Sequence, residues 1–219
     1  MISAIIKRDM TLAFRSGGAW LYGLIFFAVF IALCAIALGG SLNVMRPFAP
    51  ALIWLAVIFS AMLSFPAIFR SDYDDGTLAQ FKLSGISLLS LCTAKAISFT
   101  LLSILPLIIA TPISALFFDL EPIAVTAIVI ALLLAAPALS CYGTAAAAIL
   151  AGRQSGGFLV VLMTMPFIVP LLIFGVGAVP SYEAQGFKAL ELRVLIGLSL
   201  IGISVGLPAA AAALKAQLE

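Results

Sequence analysis

Six long apolar stretches separated by short polar connectors organise the chain, at about 19–38, 48–69, 88–118, 123–151, 158–179 and 194–214. Each is long enough to cross about 30 Å of hydrocarbon as a helix. No connector is long enough to hold a separate domain. The pattern predicts an all-α integral membrane protein with six transmembrane helices in a single domain, 1–219. Ahead of the first span, residues 2–15 place Ile2, Ile5, Ile6, Met10 and Phe14 at helical spacing, with Lys7, Arg8, Asp9 and Arg15 mainly elsewhere on the wheel. This is an amphipathic helix suited to the membrane interface. A signal peptide cleaved near Ala35-Ile-Ala37 is the alternative, but an apolar run of about 20 residues exceeds the usual core of about 7–15. An uncleaved first span fits better.

One connector differs from the others. Phe69 to Gly85 reads FRSDYDDGTLAQFKLSG and holds three of the nine acidic residues, Asp72, Asp74 and Asp75. An ionised carboxylate at mid-membrane costs at least about 2.5–3.5 kcal/mol, so residues 70–87 are expected in water at one face. Asp74 or Asp75 can complement the N-terminus of a short helix running to about Leu83, with Lys82 near its other end. Gly76 permits a tight turn at its start. Thr77, Leu78 and Phe81 share one face of that helix, a small apolar knob. As a docking surface for a soluble partner such as an ATPase the stub offers Asp72, Asp74, Asp75, Gly76, Thr77, Leu78, Gln80 and Phe81; a short solvated loop helix with no partner is the alternative. The charged members would steer while Leu78 and Phe81 anchor. A calcium loop counted from Asp72 fails, with Gly76 at position 5, Thr77 at 6 and Leu83 at 12.

Lys and Arg set the orientation. With the N-terminus inside, the inner face holds Lys7, Arg8, Arg15, Arg70, Lys82, Lys95, Arg153 and Lys215, and the outer face Arg46, Lys188 and Arg193. Both termini and the acidic connector are then cytoplasmic.

Composition narrows the chemistry. Hydrophobic residues make up 64% and charged residues 9%, against about 25% charged in soluble domains. The net charge of +2 leaves no basic patch for nucleic acid. With no histidine, the usual zinc triads, His general bases and His haem ligation are excluded from this chain alone. Cys34, Cys92 and Cys141 are isolated in apolar surroundings and read as small hydrophobes. No phosphate-binding GxxxxGK[ST] loop is present, so the chain cannot bind and split ATP by that route. Span interiors offer almost no ionisable group and the halves show no clear similarity, which disfavours an ion-coupled carrier. A membrane-embedded enzyme lacks the polar cluster it would need. Prolines recur within spans (Pro66, Pro106, Pro112, Pro137, Pro166, Pro170, Pro208), as do small-residue spacings such as Gly143/Ala147/Ala151 and Gly202/Gly206. These suit bent, closely packed helices, and the glycine-rich last span is a candidate homodimer contact.

The segment Phe69-Arg-Ser-Asp-Tyr-Asp-Asp-Gly-Thr-Leu-Ala-Gln80 resembles the cytoplasmic motif of the CcmB family, the permeases of the haem exporter in bacterial cytochrome c maturation. The likeness extends to Ala-Phe-Arg15, Ala49-Pro-Ala-Leu-Ile-Trp54, Leu-Ser84, Gly152-Arg-Gln-Ser-Gly-Gly157 and the run Pro166 to Phe174. Ala79 and Gly85 depart from it, where the family often has Glu and Pro. The resemblance implies an ABC-2-like permease in the bacterial inner membrane, with its coupling helix in the acidic connector. It also implies a CcmA-like ATPase, CcmC-like and CcmD-like membrane partners and a periplasmic CcmE-like haem chaperone, released at the cost of ATP. On this reading the chain is no enzyme and binds no cofactor directly; the complex handles haem. The alternatives are a permease for lipid, glycan or drug efflux, and a non-transporting membrane scaffold.

Overall fold

The computed structural model describes residues 2–15, 21–39, 42–152 and 156–218, and every regular element among them is helical. The amphipathic pattern at the start forms α1 (Ile2–Arg15), followed by the apolar α2 (Leu21–Ala37). A short turn, α3 (Leu42–Met45), leads into α4 (Ala49–Ser64). Pro66 removes a backbone donor there, and the chain resumes as α5 (Ala67–Asp74). Next come α6 (Thr77–Leu83), α7 (Leu88–Phe99), α8 (Leu105–Leu116), α9 (Pro122–Ile149), α10 (Gly156–Gln185), α11 (Leu190–Ile201) and α12 (Leu207–Leu218).

Among the described residues, five stretches are long and apolar enough to cross a membrane: Asn43–Asp74, Leu88–Phe117, Pro122–Ile149, Phe158–Lys188 and Leu190–Leu218. The helix α2 is apolar but only 17 residues long, about 26 Å at 1.5 Å per residue. Ala19 and Trp20, where the first span was expected to start, lie outside the described residues, as do 153–155 of the Gly152–Gly157 segment.

Two spans are interrupted in the same way. Between α7 and α8, and again between α11 and α12, five residues widen into a π turn, Thr100–Ile104 and Gly202–Gly206. Each π turn ends two residues before a proline, Pro106 or Pro208. A proline ring clashes with the carbonyl four residues back, here Leu102 or Ser204, and the wider turn relieves that clash. In both cases the helices on either side of the π turn have 12 residues. The repetition is not apparent from the residues.

The centre of the bundle is α9, against which α4, α7, α8, α10, α11 and α12 all pack. Small residues allow this. A Cβ on Gly143 would collide with the Phe65 ring, which is fully buried. The glycines of the last π turn are also used inside the chain: Gly202 faces Ala138 and Gly206 faces Cys141. The sequence suggests that face as a contact for a second copy; here α9 occupies it. Ser199 Oγ donates to the Leu134 carbonyl, and Gln217 to that of Ile149. The pairs 199/134, 202/138, 206/141 and 217/149 ascend together, so the last span runs parallel to α9. The ends of α9 and α12 therefore share one face of the bundle.

Candidate functional site

The acidic connector lies at that same end, because α5 packs against the C-terminal part of α9 and a Cβ on Gly152 would meet the Tyr73 hydroxyl at 2.8 Å. Its geometry is a helix–turn–helix. The amide of Asp75 donates to the Ser71 carbonyl (2.9 Å) and that of Gly76 to Tyr73 (3.1 Å), closing α5. Gly76 then takes φ +71°, the left-handed conformation that L side chains rarely adopt, and α6 begins at Thr77. Gly85, also at φ +71°, follows the end of α6. Asp75 thus terminates α5 and stands just ahead of α6, where its charge complements the helix start.

Thr77, Leu78 and Phe81 do share a face, but that face turns inward. Leu78 is buried, Thr77 and Phe81 are half-buried, and the Arg8 guanidinium lies 5.1 Å from the centre of the Phe81 ring. The outward face carries Tyr73, Asp74, Asp75, Gly76, Ala79, Gln80 and Leu83. Among the described residues Leu83 is the most exposed of the large apolar ones, at 88%. Sequence reasoning missed it, although Gly76, Ala79 and Leu83 follow helical spacing as regularly as the opposite face does. Arg70 and Asp74 form a loose, exposed i,i+4 pair at 3.8 Å.

The expectation that every carboxylate of the connector lies in water fails at Asp72, which is buried. Arg8 Nη2 donates to Asp72 Oδ1 at 2.6 Å and to Asp9 Oδ1 at 2.8 Å. Lys95 Nζ meets Asp9 Oδ2 at 3.0 Å and also contacts Asp72 Oδ2. The four charges alternate in a closed ring, and three are nearly sealed: side-chain exposure is 5% for Asp72, 7% for Lys95, 10% for Asp9 and 29% for Arg8. Burial of ions is tolerated only when each finds counter-charges, and here each has two, although the Lys95–Asp72 contact is ionic and Asp72 Oδ2 accepts no hydrogen bond.

The ring also gives Lys95 and α1 roles that the sequence pattern does not show. Lys95, counted in the sequence among the charges of the inner face, is a buried ion within the third span. The helix α1 buries Ile5 and aims Arg8 and Asp9 at protein, packing along α7. Ile2, Leu12 and Phe14 of the same helix remain exposed. An isolated Lys inside an apolar run is the signal that could have revealed the ring, since such a group requires a counter-charge. At the far end of the bundle a different pair, Arg46 with Asp119, joins two connectors at the surface.

Fold and site together define a multi-pass helical membrane protein. Among the described residues, its most elaborate polar feature is an ion-braced helix–turn–helix at one end of the bundle. The family model for CcmB protein matches residues 1–217. The chain belongs to that family. It is similar over its full length to proteins named Heme exporter protein B. The relative from Bradyrhizobium diazoefficiens is 35% identical, covering 100% of this chain and 99% of its own. That from Haemophilus influenzae is 36% identical (98% and 97%), and that from Pseudomonas aeruginosa 33% (98% and 96%).

Proposed function

We infer that this chain is the membrane permease subunit of an ATP-driven haem exporter serving cytochrome c biogenesis. The observation that carries this reading is the full-length match to relatives named Heme exporter protein B. In this arrangement α2 and the five longer stretches make six spans in the bacterial inner membrane, with both termini and the α5–α6 turn in the cytoplasm. A separate ATPase docks on the outward face of that turn. Asp74 and Asp75 orient it, Gln80 adds a polar contact, and Leu83 supplies the apolar anchor. Thr77, Leu78 and Phe81 support that surface from behind, and Asp72 braces it from within.

Closure of the ATPase would push the turn and tilt the helices that flank it, a rigid-body mode of switching. The chain is not itself an enzyme, and its sequence offers no phosphate loop to bind ATP. With no histidine present, any His ligand to haem would belong to other subunits, CcmC-like, CcmD-like or the CcmE-like chaperone whose release the ATPase drives.

The test is a tagged pull-down from mild detergent with mass spectrometry of the partners. An ATP-binding subunit together with haem-handling membrane proteins is expected, and Leu83→Ser should weaken ATPase recovery about tenfold, roughly 1.4 kcal/mol. An ATPase without haem partners would replace this reading with a general efflux permease. Recovery of neither would favour a scaffold.

A further inference from the structure

The charge ring joins three elements that are distant in sequence. Arg8 and Asp9 come from α1, Asp72 from α5 and Lys95 from α7. Between α5 and α7 the chain itself offers little stiffness: two glycines at positive φ, Gly76 and Gly85, bracket α6. A push on α6 delivered only through the backbone would be absorbed in those turns. The ring bypasses them. Lys95 links the third span directly to α5 through Asp72 and to α1 through Asp9, while Arg8 covers Phe81 of α6. Five residues beyond Lys95 the third span enters its π turn at Thr100, whose hydroxyl meets Ser140 of α9 at 2.5 Å.

We propose that Lys95 is a positioning residue for energy coupling. It locks the third span to α1 and α5 so that movement of the α5–α6 turn reaches the π-broken part of that span. This rests on the reading of α5–α6 as the ATPase dock. Loss of the lock leaves docking and hydrolysis in place and disconnects them from export.

The decisive variant is Asp9→Asn combined with Lys95→Met, which removes one charge of each sign and keeps the 2.6 Å pair between Arg8 and Asp72. Three quantities are read in the whole complex: ATPase co-purification, ATP hydrolysis per complex, and c-type cytochrome formed in cells. Co-purification and hydrolysis within about twofold of wild type, with cytochrome formation down at least tenfold, is the expected result. Lys95→Arg, which keeps the charge and its donors, should retain most of the output. Normal cytochrome formation in the double variant overturns the proposal, and so does loss of all three in the same proportion, since that is a structural role only. If the wild-type chain recovers no ATPase, the docking reading fails first and takes this proposal with it.

Discussion

Two ionic contacts close the two ends of the bundle, and they are built oppositely. At the end bearing α1, α5 and α6, four charges form a closed ring whose carboxylates and lysine are sealed from solvent. At the other end Arg46 and Asp119 form a single pair, with side chains 47% and 58% exposed. The same residue chemistry has different consequences in the two settings. An exposed pair gains little, a median of about 0–1 kcal/mol, because water competes and salt screens. A buried cluster holds only as a complete set, because removing one member strands a desolvated charge. The ring fixes the relative position of three helices; the exposed pair only ties two connectors together at a surface.

The sharpest way to break this contrast is to remove one charge from the ring. Lys95→Met leaves Asp9 and Asp72 facing one shared cation, Arg8. Unfolding in detergent, followed by heat or denaturant, should show a loss of about 3–5 kcal/mol. Asp9→Asn added to Lys95→Met removes the excess negative charge and should recover a good part of that loss. If the single variant is as stable as wild type, the ring is more hydrated than its burial implies, and the contrast between the two ends disappears.

Why one half of this picture is legible in the sequence and the other is not follows from the residues concerned. Apolar run length is a local property, so stretches near 88–118, 123–151 and 194–214 can be marked from composition alone. The short helix after Gly76 is legible for the same reason, and so is the shared face of Thr77, Leu78 and Phe81. Periodicity identifies a face but not which way it points. That depends on Arg8, 64 positions from Asp72, and on Lys95, an ion inside an apolar run whose partners the sequence does not name. The paired π turns are hidden differently. Their two spans agree in the Leu-Pro at 105–106 and 207–208 but in little else around the break, so the likeness lies in backbone geometry.

A smaller effect separates the inward face of α6 from its outward face. Phe81→Ala removes the ring under Arg8 and should cost about 1–2 kcal/mol. ATPase recovery should change less than for Leu83→Ser, whose side chain projects into solvent. The two variants, compared for melting temperature and pull-down yield, should show opposite rank orders: Phe81→Ala worse in stability, Leu83→Ser worse in recovery. The reverse ranking would place the docking surface on the Thr77–Leu78–Phe81 face after all.

The smallest effect belongs to the far end. Asp119 holds a left-handed backbone, φ 50°, a conformation Asp tolerates better than most residues with a side chain, and this brings its carboxylate to Arg46. Both partners are open to water, so Arg46→Ala should lower stability by no more than about 1 kcal/mol. The difference from wild type should shrink further in 1 M salt, where the screening length is about 3 Å. Lys95→Met measured alongside should keep most of its deficit in the same salt, because a sealed charge is screened far less. A large, salt-resistant loss for Arg46→Ala in the assembled complex, absent from the isolated chain, would mean that a partner covers this face. The pair would then be a second buried contact, and both ends of the bundle would be fixed by the same physics.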